Sequence, residues 1–103
     1  QKSKENGLIP KDSNVLVGDQ GKPKTLQGWL KASQGGFQIV VDDGSHLNQD
    51  IWTSFQYLWP AVTPGGIYII EDLQVGRFKK MQRTSWAIAD IMESWVEQLI
   101  SPK

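Results

Sequence analysis

The sequence predicts an α/β fold: a parallel β-sheet with flanking helices, and only part of a full sheet. Short apolar runs alternate with helical stripes in the order strand, helix, strand, helix, strand, helix. That alternation is expected of parallel strands joined by right-handed crossovers. Two of the runs, 37–41 and 67–70, are apolar almost throughout, as in strands covered on both faces. Three strands make a thin sheet, so the chain reads as one half of a doubly wound domain. The other half is expected upstream or from another chain.

The length of 103 residues suffices for one small domain with one modest core. Hydrophobic residues make up 39% and charged residues 21%, in the range of globular rather than disordered chains. Lys plus Arg equal Asp plus Glu at 11 each, so the balance gives no general electrostatic case for nucleic acid or an anionic membrane. The absence of cysteine excludes disulfides, thiolate zinc sites and cysteine nucleophiles, and it fits the cytoplasm or another reducing compartment. No apolar run approaches the roughly 20 residues of a membrane span, and the N-terminus has no apolar signal core. Without a starting Met, the chain is expected to be a fragment or a processed product.

Residues 1–14 are polar and broken by Gly7 and Pro10, as in a connecting segment. The β-branched run at 15–17 is the first expected strand, ended by Gly18. Thr25 is placed to cap a helix whose Leu26, Trp29 and Leu30 form one stripe. The Gln-Gly-Gly at 34–36 stops that helix. After the strand at 37–41, residues Ile51, Trp52, Phe55, Leu58 and Trp59 fall on one face of a second helix. Pro60 and Pro64 bracket its exit, and TPGG at 63–66 suits a type II turn, with Gly65 accepting a positive φ. The strand at 67–70 runs into Glu71 and Asp72. The stretch 74–83 is expected to be an irregular basic loop, either solvated or a lid over a substrate. Thr84 or Ser85 caps a last helix with the stripe Ile88, Ile91, Met92, Trp95, Val96 and Leu99, and Pro102 ends it. Trp52, Trp59 and Trp95 are assigned to the core, and Trp86 to a ligand site or a subunit contact.

Ligands of an open parallel sheet bind beyond the carboxyl ends of its strands. All three expected strands end in polar residues: GDQG at 18–21, DDGSH at 42–46 and EDL at 71–73. Adjacent strands lie about 4.8 Å apart, so Asp42 or Asp43 can meet Glu71 or Asp72. Neighbours in a strand point to opposite faces, which leaves one member of each acidic pair for a metal. Oxygen donors, no Cys and a single His favour Mg²⁺, Mn²⁺ or Ca²⁺ over zinc or copper. His46 lies near enough to act as a base beside such an ion. The same residues are also ordinary turn and capping chemistry, with Asp43 or Ser45 as the cap. GDQGKPKT lacks the spacing of a phosphate-binding loop. Arg77, Lys79, Lys80 and Arg83 around Phe78 give only a weak nucleic-acid signal at zero net charge.

The block FQIVVDDGSHLNQDIWTSFQYLWPAVTPGGIYIIEDL, residues 37–73, resembles the second half of class I S-adenosylmethionine-dependent methyltransferases. More narrowly, it is similar to the metal-dependent macrolide sugar O-methyltransferases of the mycinamicin and demethylmacrocin type. VLVGDQGKPKTL, from residue 15, resembles the strand and helix just before that block. The resemblance implies a partial Rossmann-like fold, with residues 15–103 as the C-terminal half of a methyltransferase-like domain. It implies Asp43, Glu71 and Asp72 as Mg²⁺ ligands and His46 as the general base. Asp19, Gln20 and Asp42 then fall where S-adenosylmethionine is approached. The implied reaction takes a proton from a small-molecule hydroxyl acceptor and transfers the sulfonium methyl to it. The family's Gly-rich turn, its ribose-binding acid and its last strands are not in this chain. The chain is therefore not expected to bind the cofactor alone, and it either self-associates or needs the missing half of its domain. The rival expectation is a non-catalytic structural or interaction domain that retains the scaffold.

Overall fold

The computed structural model describes residues 15–100. The expected connecting segment at 1–14 and the helix stop at Pro102 lie outside the described residues. Within them the chain forms α1 (Pro23–Ser33), β1 (Phe37–Asp42), α2 (Asn48–Leu58), a 3-10 turn (Trp59–Ala61), β2 (Val62–Ile70), a second 3-10 turn (Leu73–Arg77) and α3 (Ile88–Ile100). The fold is α/β, with β1 and β2 paired in parallel and helices packed alongside. No helix among the described residues is long and apolar enough to cross a membrane.

The sheet among the described residues has two strands, not three. Residues 15–17 form no strand: they pair with neither β1 nor β2, and Leu16 and Val17 are 52% and 76% exposed. A β-branched run favours extended backbone, yet it becomes a strand only where a neighbour accepts its hydrogen bonds. β2 is longer than expected because TPGG is drawn into it. Phe37 pairs with Val62 and Ile39 with Ile67, so residues 63–66 bulge out of the ladder. Gly65 takes φ 83°, the positive value expected there. Beyond the strands the ladder gains one more bond, from the Glu71 N–H to the Asp42 carbonyl at 2.9 Å. That bond holds the two carboxyl ends side by side.

The core is small and lies between one sheet face and the helices: Leu26, Ile51, Leu58, Ala87 and Ile88 are buried. α1 begins at Pro23 with Lys22 before it, so Thr25 is inside the helix and not its cap. Proline suits a first helical position, where its missing N–H removes nothing. Leu47 precedes α2 without any side-chain cap. An aromatic cluster joins α2, β2 and α3. Phe55 stacks on Trp59 at 5.7 Å, meets the edge of Tyr68 at 5.1 Å and tilts against Trp95 at 5.7 Å, while Trp52 and Trp95 lie 6.1 Å apart. The expected core role of Trp52 and Trp95 thus takes the form of ring contacts at the edge of the core, and Trp59 remains 49% exposed.

The opposite sheet face is uncovered. Ile39 and Ile67 face each other in register, as do Val41 and Ile69, and all four are exposed. Parallel sheets are ordinarily covered on both sides. In the chain alone, Leu26→Ala is expected to cost about 2–5 kcal/mol, whereas Ile39→Thr is expected to stay within about 0.5 kcal/mol. Urea unfolding checks both, and equal losses would show that the Ile39 face is covered in solution.

Candidate metal and active site

The site forms where the two strands end. Asp43 follows β1 directly, and Asp72 follows β2 after Glu71. His46 Nε2 lies 3.9 Å from an Asp43 carboxylate oxygen and 3.7 Å from one of Asp72. One donor atom from each of the three residues lies within 4.8 Å of the others. The carboxylates are about half exposed, at 56% and 50%, and the imidazole is 26% exposed. His46 Nδ1 is buried with no hydrogen-bond partner among the described residues.

Local backbone geometry aims these groups. His46 and Asp72 both have left-handed backbone, with φ of 64° and 60°. Few non-glycine residues adopt that conformation, and those that do tend to sit in turns or at functional sites. Asp72 opens the second 3-10 turn. Ser45 holds the entry to α2: its Oγ accepts from the Leu47 N–H at 3.2 Å and donates to Asp50 at 2.7 Å. Ser45 thus closes the turn before the helix, and neither it nor Asp43 caps α2. Asp43 caps nothing among the described residues and is left to the cluster. Glu71 lies outside the group of three, because consecutive residues leaving an extended strand project in opposite directions. Its backbone N–H, not its carboxylate, bonds to β1.

Asp42, Gln20 and Asp19 form a second layer behind this edge. Asp42 is 8% exposed, and its carboxylate accepts from Gln20 Nε2 at 3.1 Å and from the Gly44 N–H at 3.1 Å. Gln20 Nε2 also reaches Ser54 Oγ at 3.0 Å, and Gln20 Oε1 accepts from the Ser45 N–H at 2.9 Å. The amide of Gln20 is thereby committed inside the protein. Asp19 accepts from the Gly21 N–H at 2.8 Å and is exposed. Next to this layer is a cavity of about 320 Å³ lined by Gln20, Trp29, Asp42, Ser54, Leu58 and Tyr68. The Tyr68 hydroxyl is buried without a hydrogen-bond partner among the described residues. Burial, and after it the nearby Asp42 charge, pushes its ionisation well above the ordinary phenol range.

The basic stretch is less free than the sequence suggests. Arg77 donates to Asp90 on α3 from Nε at 3.0 Å and from Nη2 at 2.5 Å, and Nη2 also meets Glu93 at 3.0 Å. The hydrogen bonds to Asp90, foremost, raise the affinity of its guanidinium for its proton.

No protein-family profile matches the chain. The chain is 55% identical over 59 residues to demethylmacrocin O-methyltransferase of Streptomyces fradiae, a match covering 57% of this chain and 15% of that protein. The fold superposes on a MycE methyltransferase from the mycinamycin biosynthetic pathway, solved in complex with Mg, SAH and mycinamycin VI. The TM-score is 0.75 at 29% identity, over 95% of this chain and 28% of that one. The chain is homologous to a segment of the macrolide and sugar O-methyltransferases. Mycinamicin VI 2''-O-methyltransferase of Micromonospora griseorubida adds a match at 48% identity over 59 residues, 57% of this chain and 14% of that O-methyltransferase. A tetracenomycin-C 2'-O-methyltransferase of Streptomyces olivaceus, named for its 8-demethyl-8-alpha-L-rhamnosyl substrate, adds 39% identity over 69 residues, 67% of this chain and 18% of the relative. The chain therefore spans less than a fifth of each of these curated O-methyltransferases.

Two measurements follow. The unfolded chain releases a tyrosine proton near pH 10, while folded Tyr68 keeps its proton to higher pH. Stability contributed by Tyr68 is therefore complete below about pH 10 and lost as pH rises beyond it. Wild type is expected to lose stability relative to Tyr68→Phe progressively as the pH rises above about 10, as thermal melts would show. Asp43→Asn, at an exposed position that caps nothing, is expected to leave metal-free stability within about 0.5 kcal/mol; a larger loss would make Asp43 a structural residue.

Proposed function

We propose that this chain is the metal-bearing part of an S-adenosylmethionine-dependent, Mg²⁺-dependent O-methyltransferase that acts on a hydroxyl of a sugar-like acceptor. The observation that carries the reading is the convergence of Asp43, His46 and Asp72 at the carboxyl ends of two adjacent parallel strands. Similarity to O-methyltransferases of sugar-bearing natural products supports the reaction class. MycE, solved with Mg and SAH, supports the pair of cofactors. The alternative of a non-catalytic scaffold is disfavoured, because decay would not keep two half-exposed acids and an imidazole aimed at one point.

The donor set fits a hard divalent cation. Carboxylate oxygens predominate, as such an ion prefers, and the donor atoms of Asp43, His46 and Asp72 lie within 4.8 Å of one another. Asp43 and Asp72 would hold Mg²⁺, and Glu71, next to Asp72 in the chain, is the third acid assigned to the ion. When bound, the ion supplies a positive charge that lowers the pKa of an acceptor hydroxyl. His46, partly buried between the two acids, receives the acceptor's proton. Asp19 offers an exposed carboxylate toward the cofactor. Gln20 and Asp42 shape the loop at its edge through the hydrogen bonds they share. The uncovered sheet face is assigned to the rest of the domain or to a second copy of the chain. The absence of cysteine fits a reducing compartment such as the cytoplasm.

In the full-length protein, Asp43→Asn is expected to abolish Mg²⁺-dependent methyl transfer. His46→Ala is expected to lower turnover by about 10²–10⁴-fold while sparing Mg²⁺ affinity. Methyl transfer to a sugar-bearing acceptor, followed by mass spectrometry with calorimetry for the metal, tests both. Unchanged activity in Asp43→Asn would end this reading.

A further inference from the structure

We infer that Asn48 is a positioning residue of the candidate metal group: its buried amide sets how far the loop carrying Asp43 and His46 stands from the loop carrying Asp72. The inference rests on the reading of Asp43, His46 and Asp72 as metal-binding and goes beyond it by naming what fixes their spacing.

Asn48 is the first residue of α2, two positions after His46, and it is 2% exposed. Its side chain bonds only to the stretch that follows Asp72. Nδ2 donates to the Gly76 carbonyl at 3.0 Å, to Thr84 Oγ1 at 3.2 Å and to the Trp86 carbonyl at 3.1 Å. Oδ1 accepts from the Ile88 N–H at 3.0 Å, at the first residue of α3. Thr84 completes the ring by donating to the Trp86 carbonyl.

The two loops of the cluster therefore have a common anchor. On one side it is continuous with the His46 backbone, whose left-handed φ must be held by its neighbours. On the other it grips Gly76, in the 3-10 turn that Asp72 opens. The fit is tight: a Cβ placed on Gly76 would come within 2.1 Å of Asn48 Oδ1. No other side chain among the described residues is bonded both this close to His46 and to the turn after Asp72. Groups behind the ligands commonly change metal affinity by about 10–100-fold when altered.

The test titrates Mn²⁺ into the full chain, followed by electron paramagnetic resonance, for wild type, Asn48→Asp, Gly76→Ala and Asp43→Asn. Each protein is also melted. Asn48→Asp keeps the acceptor for Ile88 and loses the donor to Gly76; Gly76→Ala pushes on the same contact from the other side. Both variants are expected to melt cooperatively and to bind Mn²⁺ at least ten-fold more weakly. Where one unfolds, the other decides. Wild-type affinity in the folded variants overturns the inference, and so does loss of the cooperative melt in both, which would make Asn48 a folding residue only. If wild type and Asp43→Asn bind Mn²⁺ alike, it is the metal reading that fails. The ring of His46, the only histidine, then judges Asn48 separately. Loss of its nuclear Overhauser contact to the Asp72 β-protons in Asn48→Asp supports the positioning role, and retention of that contact refutes it.

Discussion

A buried amide is tolerated only when its donors and acceptor are met, and this fold is arranged around that constraint at Asn48. The side chain is almost wholly buried and bonds to four groups between residues 76 and 88. Those bonds bring the chain back across α2 after β2 has ended, and they start α3 where it can present Trp95 to Phe55. Gln20 plays a similar part beside the end of β1. Its amide holds Asp42, Ser45 and Ser54, so the loop before α1, the end of β1 and the middle of α2 share one polar knot. The apolar core is only a handful of side chains. Directional bonds therefore carry much of the specificity that a larger core would supply.

The sheet serves the site by bringing two chain segments to the same edge. Parallel pairing sends β1 and β2 out of the sheet in the same direction, and the bond from Glu71 to Asp42 carries the pairing past the last strand residue. Asp43 and Asp72 then leave from neighbouring positions. The left-handed turns at His46 and Asp72 bend both segments toward each other instead of onward into solvent. Residues distant in sequence become neighbours through two features, strand direction and turn handedness.

Much of this was legible in the sequence. The apolar runs at 37–41 and 67–70 are strands, and the stripes through Ile51 and Ile88 are helices, because burial imposes its period on the side chains. The meeting of Asp43 with Asp72 and His46 followed from the rule that ligands sit beyond carboxyl ends. Residues 15–17 misled because extended propensity is local while strand formation depends on a partner. Glu71 could not be told from Asp72, since alternation fixes that one of a pair faces inward and not which. The polar knots were missed because Gln20 was assigned toward the cofactor and Asn48 was given no role. A signal was available for Asn48: it lies three positions before Ile51 and shares the buried face of α2 with Leu58, where a polar residue must have found partners.

The parallel pairing of β1 with β2 also bears on how quickly the structure is reached. A hairpin can zip outward from a tight turn, but these strands are separated by all of α2 and the turn at Trp59–Ala61. The entropy of closing that loop is spent before any ladder bond returns stability. α2 must therefore be at least partly formed, with Ile51 and Leu58 offering an apolar face, before the strands gain by meeting. The helix that carries Asn48 thus shortens the loop that the strands must close, as well as shaping the fold.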